Sequence, residues 1–452
     1  MQQSRKVRML VDTAHKLLRR GALGNVAKLV VKSHAADIAI LFRSLIPSER
    51  VTVFNMIRSR TQRAELVSEL DAEIATQLLV DLGSEVAVKV LREMSSDDAA
   101  DVLGALPPEL AAQILERMHD EDQEAVEGLM RYAEDTAGGI MVPDFFALRE
   151  DVTAEEAIDA LRNAGDVEMA FYVYVINEFE QLVGVVSLRQ LVMVSPETKL
   201  KSVMETNLVS VRVDTDQEEV ARLVARYNYL AVPVVDDANK LLGIVTVDDI
   251  IDVIQEEAAE DMLRMAGAGE EIGETRSVGT GVRARGPWLL ATLVGGLLAA
   301  LIVRPFLPLL GAHLELVLFL PLILALCGIA GTQSATIVVS AMSAGVIEVK
   351  NFWSVVRKEV LIGLVLGLVY GGVSGGLAAL GTTVPQGAVV GLAVVGSVLV
   401  AAFLGGALPL LLDRLHLDPT IAAGPAVAAG VDLIGVAVYL GLATALLPLA
   451  EG

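Results

Sequence analysis

The sequence predicts a multidomain chain: an all-α superhelical N-terminal domain, tandem α/β units, an acidic connecting helix and an α-helical membrane domain of five spans. Three observations lead there. The first is a division of acidity from hydrophobicity. The 452 residues carry a net charge of −22 and are nonetheless 54% hydrophobic, with a mean hydropathy of +0.57, a pairing foreign to a soluble acidic protein. From Pro287 to Gly452 there are 5 Lys and Arg against 7 Asp and Glu, so the first 286 residues hold −20 of the charge. The second observation is a short helical repeat near the N-terminus, and the third a longer repeat in the middle of the chain.

Residues 1–137 show no strand-like alternation and few glycines. Between about 60 and 130 an apolar pair, a polar turn and a fresh helix start recur roughly every twelve residues. The turns read Asp71-Ala-Glu73, Gly83-Ser-Glu85, Ser96-Asp97-Asp98, Pro107-Pro108-Glu109 and His119-Asp-Glu121. Short helices stacked in this way predict a superhelical array, whose use is either protein contact or a direct part in ion sensing.

Residues 138–252 contain two copies of one unit, about 138–200 and 201–252. Val173-Tyr-Val-Ile followed by Leu182-Val-Gly184-Val-Val-Ser187 matches Val232-Pro-Val-Val followed by Leu241-Leu-Gly243-Ile-Val-Thr246, at an offset of 59. Each copy reads as strand, turn, strand and helix start, with a helix before it at Ala154–Arg162 or Asp216–Arg226. Such units resemble a tandem pair of CBS domains. That resemblance implies parallel pairing of the two copies and adenine-nucleotide binding through a Ser/Thr-x-x-Asp pattern. The pattern is Thr246…Asp249 in the second copy but Ser187…Gln190 in the first, where the acid is lost. Tyr172 and Arg189 remain as groups that could stack on and contact ATP; its binding is expected to be weak or absent.

Residues 253–280 continue the last helix as an acidic connector and linker. Carboxylates fall at Asp248, Asp252, Glu256 and Glu260, and again at Asp249, Glu257 and Asp261. Both series have i, i+4 spacing and form adjacent stripes on one helix face. Like charges so placed repel one another unless cations bridge them; the alternative is a solvated acidic surface.

Residues 281–452 divide into five apolar segments, roughly 287–310, 315–345, 358–382, 386–412 and 419–449, each long enough to cross a hydrocarbon core. Arg283 and Arg285 precede the first, Lys350, Arg357 and Lys358 lie between the second and third, and Arg414 lies between the fourth and fifth. The opposite connections (Gly311–Leu314 and Gly381–Gln386) and the tail have none, and Arg304 alone dissents. The expected protein is therefore a multi-pass protein of the cytoplasmic (inner) membrane, with a cytoplasmic N-terminus and an outside C-terminus. Its basic N-terminus lacks an uninterrupted apolar run, so no signal peptide is expected.

Asp432 is expected near the middle of the fifth span, where an ionised carboxylate costs about 3 kcal/mol on insertion scales. No Lys or Arg sits at that depth to pair with it. The readings are a helix–helix hydrogen bond by a protonated Asp, or a wet pathway for cations. Opposite it, Gly328-Ile-Ala-Gly331-Thr332-Gln333-Ser334-Ala-Thr336 offers backbone and short polar groups that could hold a hydrated Mg²⁺ through its water shell. Gly363, Gly367, Gly371 and Gly375 form a packing ladder in the third span.

Several classes are excluded. The single Cys327 forbids an intrachain disulfide, a Cys-based zinc site or an iron–sulfur cluster. The −20 of the soluble part argues against nucleic acid as a partner. There is no Gly-x-x-x-x-Gly-Lys-Ser/Thr loop and no His-Glu-x-x-His, and His313 and Glu315 stand two residues apart on different helix faces, so an enzyme is not expected. Asp432 and the acidic connector argue against an anion carrier. The residues alone leave Mg²⁺, Co²⁺, Mn²⁺ and Ni²⁺ open, as well as channel and carrier.

The whole order of domains resembles the MgtE family of magnesium channels or transporters. The resemblance rests on Arg131-Tyr-Ala-Glu-Asp-Thr-Ala-Gly138-Gly139-Ile-Met, Asp214-Thr-Asp216-Gln-Glu218-Glu219-Val-Ala-Arg, Gly331-Thr-Gln333-Ser-Ala-Thr and Asp418-Pro419…Gly424-Pro425…Asp432. It implies a homodimer in the lipid membrane that imports Mg²⁺ through a pore at the dimer interface, with Asp432 binding the ion. Gly328, Gly331, Thr332, Gln333, Thr336 and Gly424 would line the pore. It also implies regulatory Mg²⁺ sites: Glu65, Asp97 and Asp101 of the N-domain with the backbone of Gly139; Asp216, Glu218, Asp249 and Asp252 of the second CBS unit; and Glu257, Glu260 and Asp261 of the connecting helix. Two departures stand out. The family's Gly-Asn-x-Gly-x-Gln is here Gly328-Ile329-Ala-Gly331-Thr-Gln333, and Asn228 replaces a frequent acid.

Overall fold

Elementary repetition builds the first part of the chain. The computed structural model describes residues 2–164, 171–268, 278–347 and 349–451; the end of the expected linker, 269–277, lies outside them. Ten short helices come first: α1 (Gln2–Arg19), α2 (Leu23–Val30), α3 (Ala35–Arg43), α4 (Pro47–Phe54), α5 (Arg60–Ser68), α6 (Ala72–Leu82), α7 (Ser84–Leu91), α8 (Ser96–Ala105), α9 (Pro108–Leu115) and α10 (Asp120–Leu129). From α5 onward the starts fall at 60, 72, 84, 96, 108 and 120, a period of twelve. The period extends further back than the sequence suggests. Val30, Phe42, Phe54, Leu66, Leu78, Val90, Ile114 and Val126 share one phase of it, and each is at most 2% exposed. Helices of about eight to ten residues are marginal alone, so this inward column, stacked into one core, is what holds the array together. Gly83 (φ +79°) turns the chain between α6 and α7, in a backbone region that only glycine enters without strain.

The two repeats then fold alike. The first contains β1 (Ala147–Arg149), α11 (Ala154–Asn163), β2 (Tyr172–Ile176), β3 (Leu182–Ser187), α12 (Leu188–Met193) and α13 (Leu200–Val203). The second contains β4 (Val211–Arg212), α14 (Gln217–Tyr227), β5 (Ala231–Val235), β6 (Leu241–Thr246) and α15 (Val247–Met265). In each sheet the first strand pairs parallel to the second, and the second antiparallel to the third. Tyr172 faces Ser187 as Ala231 faces Thr246, and the bulge recurs between Val175 and Ile176 and between Val234 and Val235. The hairpin turns place Glu180 (φ 61°) and Asn239 (φ 62°) in the left-handed region, again 59 residues apart. The copies join through these turns: the Leu182 amide donates to the Asn239 carbonyl at 2.9 Å, and Asn239 Nδ2 donates to the Leu182 carbonyl at 2.9 Å. The parallel strands β1 and β4 were not foreseen, being two or three residues long.

Contacts divide the chain into two compact units, residues 1–254 and 255–452. In the second lie α16 (Val278–Val303), α17 (Leu307–Ala312), α18 (Leu314–Ser343), α19 (Phe352–Gly381), α20 (Val384–Arg414) and α21 (Pro425–Glu451). They supply five helical segments long and apolar enough to cross a membrane, the first running Val278–Ala312 through a 3-10 turn at Arg304–Phe306. The first begins earlier than the apolar run suggests. The fifth begins later, because Pro419–Ala423 forms a separate 3-10 turn and Gly424 ends it. The glycine ladder packs as expected: a methyl on Gly371 would lie 2.6 Å from the Gly391 carbonyl oxygen, and one on Gly375 2.7 Å from that of Gly387. Backbones therefore touch along α19 and α20. The most deeply buried of these helices is α20, which packs on α18, α19 and α21.

Candidate functional site

In the second unit α18 and α21 approach each other at small residues. A methyl on Gly328 would lie 2.8 Å from Asp432 Oδ1, one on Gly331 2.8 Å from Val431 Cγ1, and one on Gly435 2.6 Å from Cys327 Sγ. Gly405 of α20 seats against the Gly331 carbonyl from behind. Asp432 thus points at the backbone of Gly328, where an added Cβ would force the carboxylate to shift. Among the described residues its Oδ1 is buried without a hydrogen-bond partner, which is costly unless another group, such as a cation or its water, supplies one. Asp432 is the eighth residue of α21, so it stands about 10 Å along the helix from its start at 1.5 Å per residue. It therefore stands nearer the start of its helix than the middle, because the helix begins later than the apolar run.

The other expected pathway residues divide. Gly328, Thr332 and Thr336 are half-buried, Gln333 is exposed and Gly331 and Gly424 are buried. Gly424 lies against Trp288 of α16, with room for a methyl only at 3.3 Å from the ring. Close by, Gly267 (φ +64°), just beyond α15, abuts Pro425 and Trp288. The last turns of α15 are fixed in the same unit. Arg264 Nη1 donates to Asp418 Oδ2 at 3.0 Å and also pairs with Glu260, while Ser343 Oγ at the end of α18 donates to Asp261 at 3.2 Å. Asp418 in turn caps the 3-10 turn, accepting from the Thr420 amide at 2.8 Å. Burial, with Asp418 and Glu257 nearby, pushes the Asp261 carboxyl upward. Asp418 is a neighbour of the connector that its place in the sequence, 157 residues beyond Asp261, did not reveal.

The first unit holds a second acidic locus, where the start of α8 meets the start of α15. Asp97 is 8% exposed, with Oδ1 lacking a hydrogen-bond partner among the described residues. Its carboxyl is raised by burial, opposed by Ser95 and local amides, with Asp248 adding repulsion. Asp98 is pushed up to about 6 by burial and by Asp97, with Ser68 and Glu69 at the end of α5 beside it. Asp249 is pushed up to about 7 by burial, against its hydrogen bond from Thr246, with Asp97, Asp248 and Asp98 all repelling. Asp252 is raised by burial and Asp248. Asp101 lies one turn beyond Asp97, and Glu65 one turn before Ser68 and Glu69. Of the expected sensor residues, the structure therefore brings Asp97 and Asp249 together, with Asp252 about one turn further along α15. It adds Asp98 and Asp248, whose signal was the doublet Asp97-Asp98 and Asp248-Asp249 at two helix starts. Among the described residues no three acidic, His or Cys groups converge tightly enough to hold a metal ion.

Gly139 and the pair Asp216 and Glu218 form a third locus. The Ala137 amide donates to the Thr215 carbonyl at 2.7 Å and the Gly138 amide to that of Val213 at 2.9 Å. Asp216 caps α14 by accepting from the Glu218 amide at 2.8 Å, and Glu218 pairs with Arg222 at 3.6 Å. In the first repeat Gln190 Oε1 accepts from both the amide and the hydroxyl of Ser187, each at 2.8 Å. Gln190 thus takes the cap position that Asp249 holds in the second repeat. Tyr172 is half-buried on β2 and Arg189 exposed on α12.

Five apolar helices, two of them meeting at a buried carboxylate, joined to a helical array and paired small sheets, are the architecture of a multi-pass cation transporter. The comparisons agree. Residues 320–442 match the MgtE profile, "Divalent cation transporter", residues 33–135 the MgtE intracellular N domain, and residues 137–197 and 200–256 the CBS domain. The chain is 38% identical over 326 residues to the magnesium transporter MgtE of Thermus thermophilus, covering 71% of this chain and 72% of that protein. It is 32% identical over 439 residues to that of Bacillus subtilis, covering 95% of each. The solved cytosolic domain of the Mg²⁺ channel MgtE in complex with ATP aligns at TM-score 0.52 and 37% identity, covering 54% of this chain and 99% of that structure. The chain belongs to the MgtE family of magnesium transporters.

Proposed function

We propose that this protein is a Mg²⁺ channel of the cytoplasmic membrane, working as a homodimer, whose path runs past Asp432 and which Mg²⁺ itself closes from the side of the acidic loci. The N-terminus lies on the cytoplasmic side and the C-terminus outside, a reading that the basic connections support. The observation that carries the reading is Asp432: its buried Oδ1 has no hydrogen-bond partner among the described residues and stands against the Gly328 backbone, where a methyl would crowd it. Gly328, Gly331, Thr332, Gln333, Thr336 and Gly424 supply the polar backbone and hydroxyls around that path. At low Mg²⁺ the acids of α8 and α15 repel one another. At high Mg²⁺ the ion neutralises Asp97, Asp98, Asp248, Asp249 and Asp252, with Glu65, Asp101, Gly139, Asp216, Glu218, Glu257, Glu260 and Asp261 completing the regulatory set. Binding to the compact form alone then shifts the population by mass action. Swinging from mostly open to mostly closed takes about 5 kcal/mol of differential binding, which several coupled sites can supply.

The test is Mg²⁺ flux into liposomes containing the protein, with and without an imposed potential, alongside limited proteolysis across a Mg²⁺ titration at fixed ionic strength. Potential-driven flux and Mg²⁺-specific protection support the reading. Equal protection by monovalent salt overturns the sensor, and flux indifferent to potential overturns the channel. ATP, which the solved relative binds, is proposed to bind weakly here, because Gln190 offers an amide where a carboxylate would take ribose hydroxyls.

A further inference from the structure

The acidity of the soluble part is an average of two opposed regions. Residues 1–63 carry 13 Lys and Arg against 3 Asp and Glu, a net +10, whereas residues 64–286 carry 17 against 47, a net −30. The boundary falls within the helical array, so its first four helices form a basic block. On α1 the apolar side is already used: Leu10 and Ala14 are buried, and Val11, Leu17 and Leu18 pack on the core. The opposite side shows Arg8, Asp12, Lys16 and Arg19, spaced four, four and three residues apart and all exposed. Arg20, Lys28 and Lys32 extend this cationic surface around the α1–α2 turn and beyond α2. Among the described residues, Lys6, Arg8, Lys16, Arg19, Arg20, Lys28 and Lys32 enter no ion pair. By contrast Arg43 and Arg60, further on, pair with Asp71 and Glu93.

Beside the stripe lies a cleft of about 640 Å³ between α1 and the α2–α3 connection, with Lys6 and Lys32 at its rim and Met9, Leu10 and Val31 among its walls. Met9 is 62% and Val31 52% exposed. Asp12 and Asp37 are the acids within this surface, so its sign stays strongly positive. Unpaired cations interleaved with a few exposed apolar side chains, without a free apolar helix face, suit a surface of phosphate headgroups and not burial among acyl chains. Such a surface is at hand, since the chain's own five spans hold it in a membrane. Tethering makes the encounter intramolecular, so modest affinity suffices.

We propose that the face formed by α1 and α2 is a docking surface for the anionic headgroups of a phospholipid bilayer. The inference rests on the membrane residence of the chain and not on the channel reading. Each cation near an anionic leaflet strengthens docking by about fivefold, so removing four weakens it by several hundredfold.

The test uses the full chain in lipid nanodiscs. Gly24, exposed at the start of α2 with open space around it, is replaced by cysteine (Gly24→Cys) and labelled with a fluorophore. Cys327, being buried, stays unlabelled. A quencher is carried on lipid headgroups, in discs of phosphatidylcholine alone or with about one-third phosphatidylglycerol. Quenching in the anionic discs only, abolished by Lys16→Gln, Arg19→Gln, Arg20→Gln and Lys28→Gln together and by high salt, is the expected result. These side chains are exposed, and an unchanged melting temperature verifies that the fourfold variant is folded. Equal quenching in neutral and anionic discs, or none in either, overturns the proposal. So does a label shielded equally in both, which would assign the face to the acidic surface of a second copy.

Discussion

Raising the pH from about 6 to about 7 should lower the Mg²⁺ concentration that compacts the first unit by about tenfold. The reason is competition between Mg²⁺ and protons for the carboxylates where α8 meets α15. With Asp249 at about 7 and Asp98 at about 6, protons occupy most of the first and half of the second at the lower pH. An ion that needs both carboxylates charged must displace them. Summing the two proton equilibria gives about a tenfold gain over that unit and only about a further twofold by pH 8. The sign for the metal-free protein is opposite. Both groups are held above the ordinary Asp value, so the folded state binds more protons than the unfolded chain between about pH 4 and 7. Their contribution is therefore complete below that window and is lost as the pH rises through it. The assay is protease protection of the purified protein against Mg²⁺ at several pH values and constant ionic strength, with melting temperature measured in a chelator. A Mg²⁺ midpoint that does not move with pH would refute the assignment of these acids to the sensor.

Three further outcomes follow from particular contacts. Gly328→Ala, whose methyl would stand 2.8 Å from Asp432 Oδ1, should reduce Mg²⁺ flux in liposomes at least tenfold while leaving the melting temperature within a few degrees of wild type. Gln190→Asp restores the acid at the cap of α12 and should tighten ATP binding measured by calorimetry, whereas Gln190→Ala should leave it weak. Phe54→Ala removes a fully buried ring from the inward column of the helical array and should cost about 3–5 kcal/mol in denaturant unfolding of the first unit; a loss below 1 kcal/mol would contradict the packing described.

The legible parts of the fold are those that repeat. The twelve-residue turns of the array and the 59-residue offset of the strands each constrain many residues at once, and the register pairs Tyr172–Ser187 and Ala231–Thr246 follow that offset. Hydropathy gave the five spans but not their ends, because Pro419–Ala423 is as apolar as a helix while proline and glycine set it apart as a turn. That is why Asp432 lies nearer the start of its helix than expected. The acids at α8 and α15 were individually visible, but their meeting depends on tertiary packing across about 150 residues, and no local pattern encodes it. The same holds for Arg264 with Asp418. The opposed charges within the soluble part were present in the composition and hidden by averaging over 286 residues.

The central claim is that Asp432 takes the transported ion. Its most direct test is Mg²⁺ uptake by liposomes containing Asp432→Asn, a substitution that keeps the size of the side chain and removes its charge. The account predicts uptake at the level of protein-free liposomes, with the melting temperature and oligomeric state of the variant unchanged. Uptake close to that of the unaltered protein would contradict it.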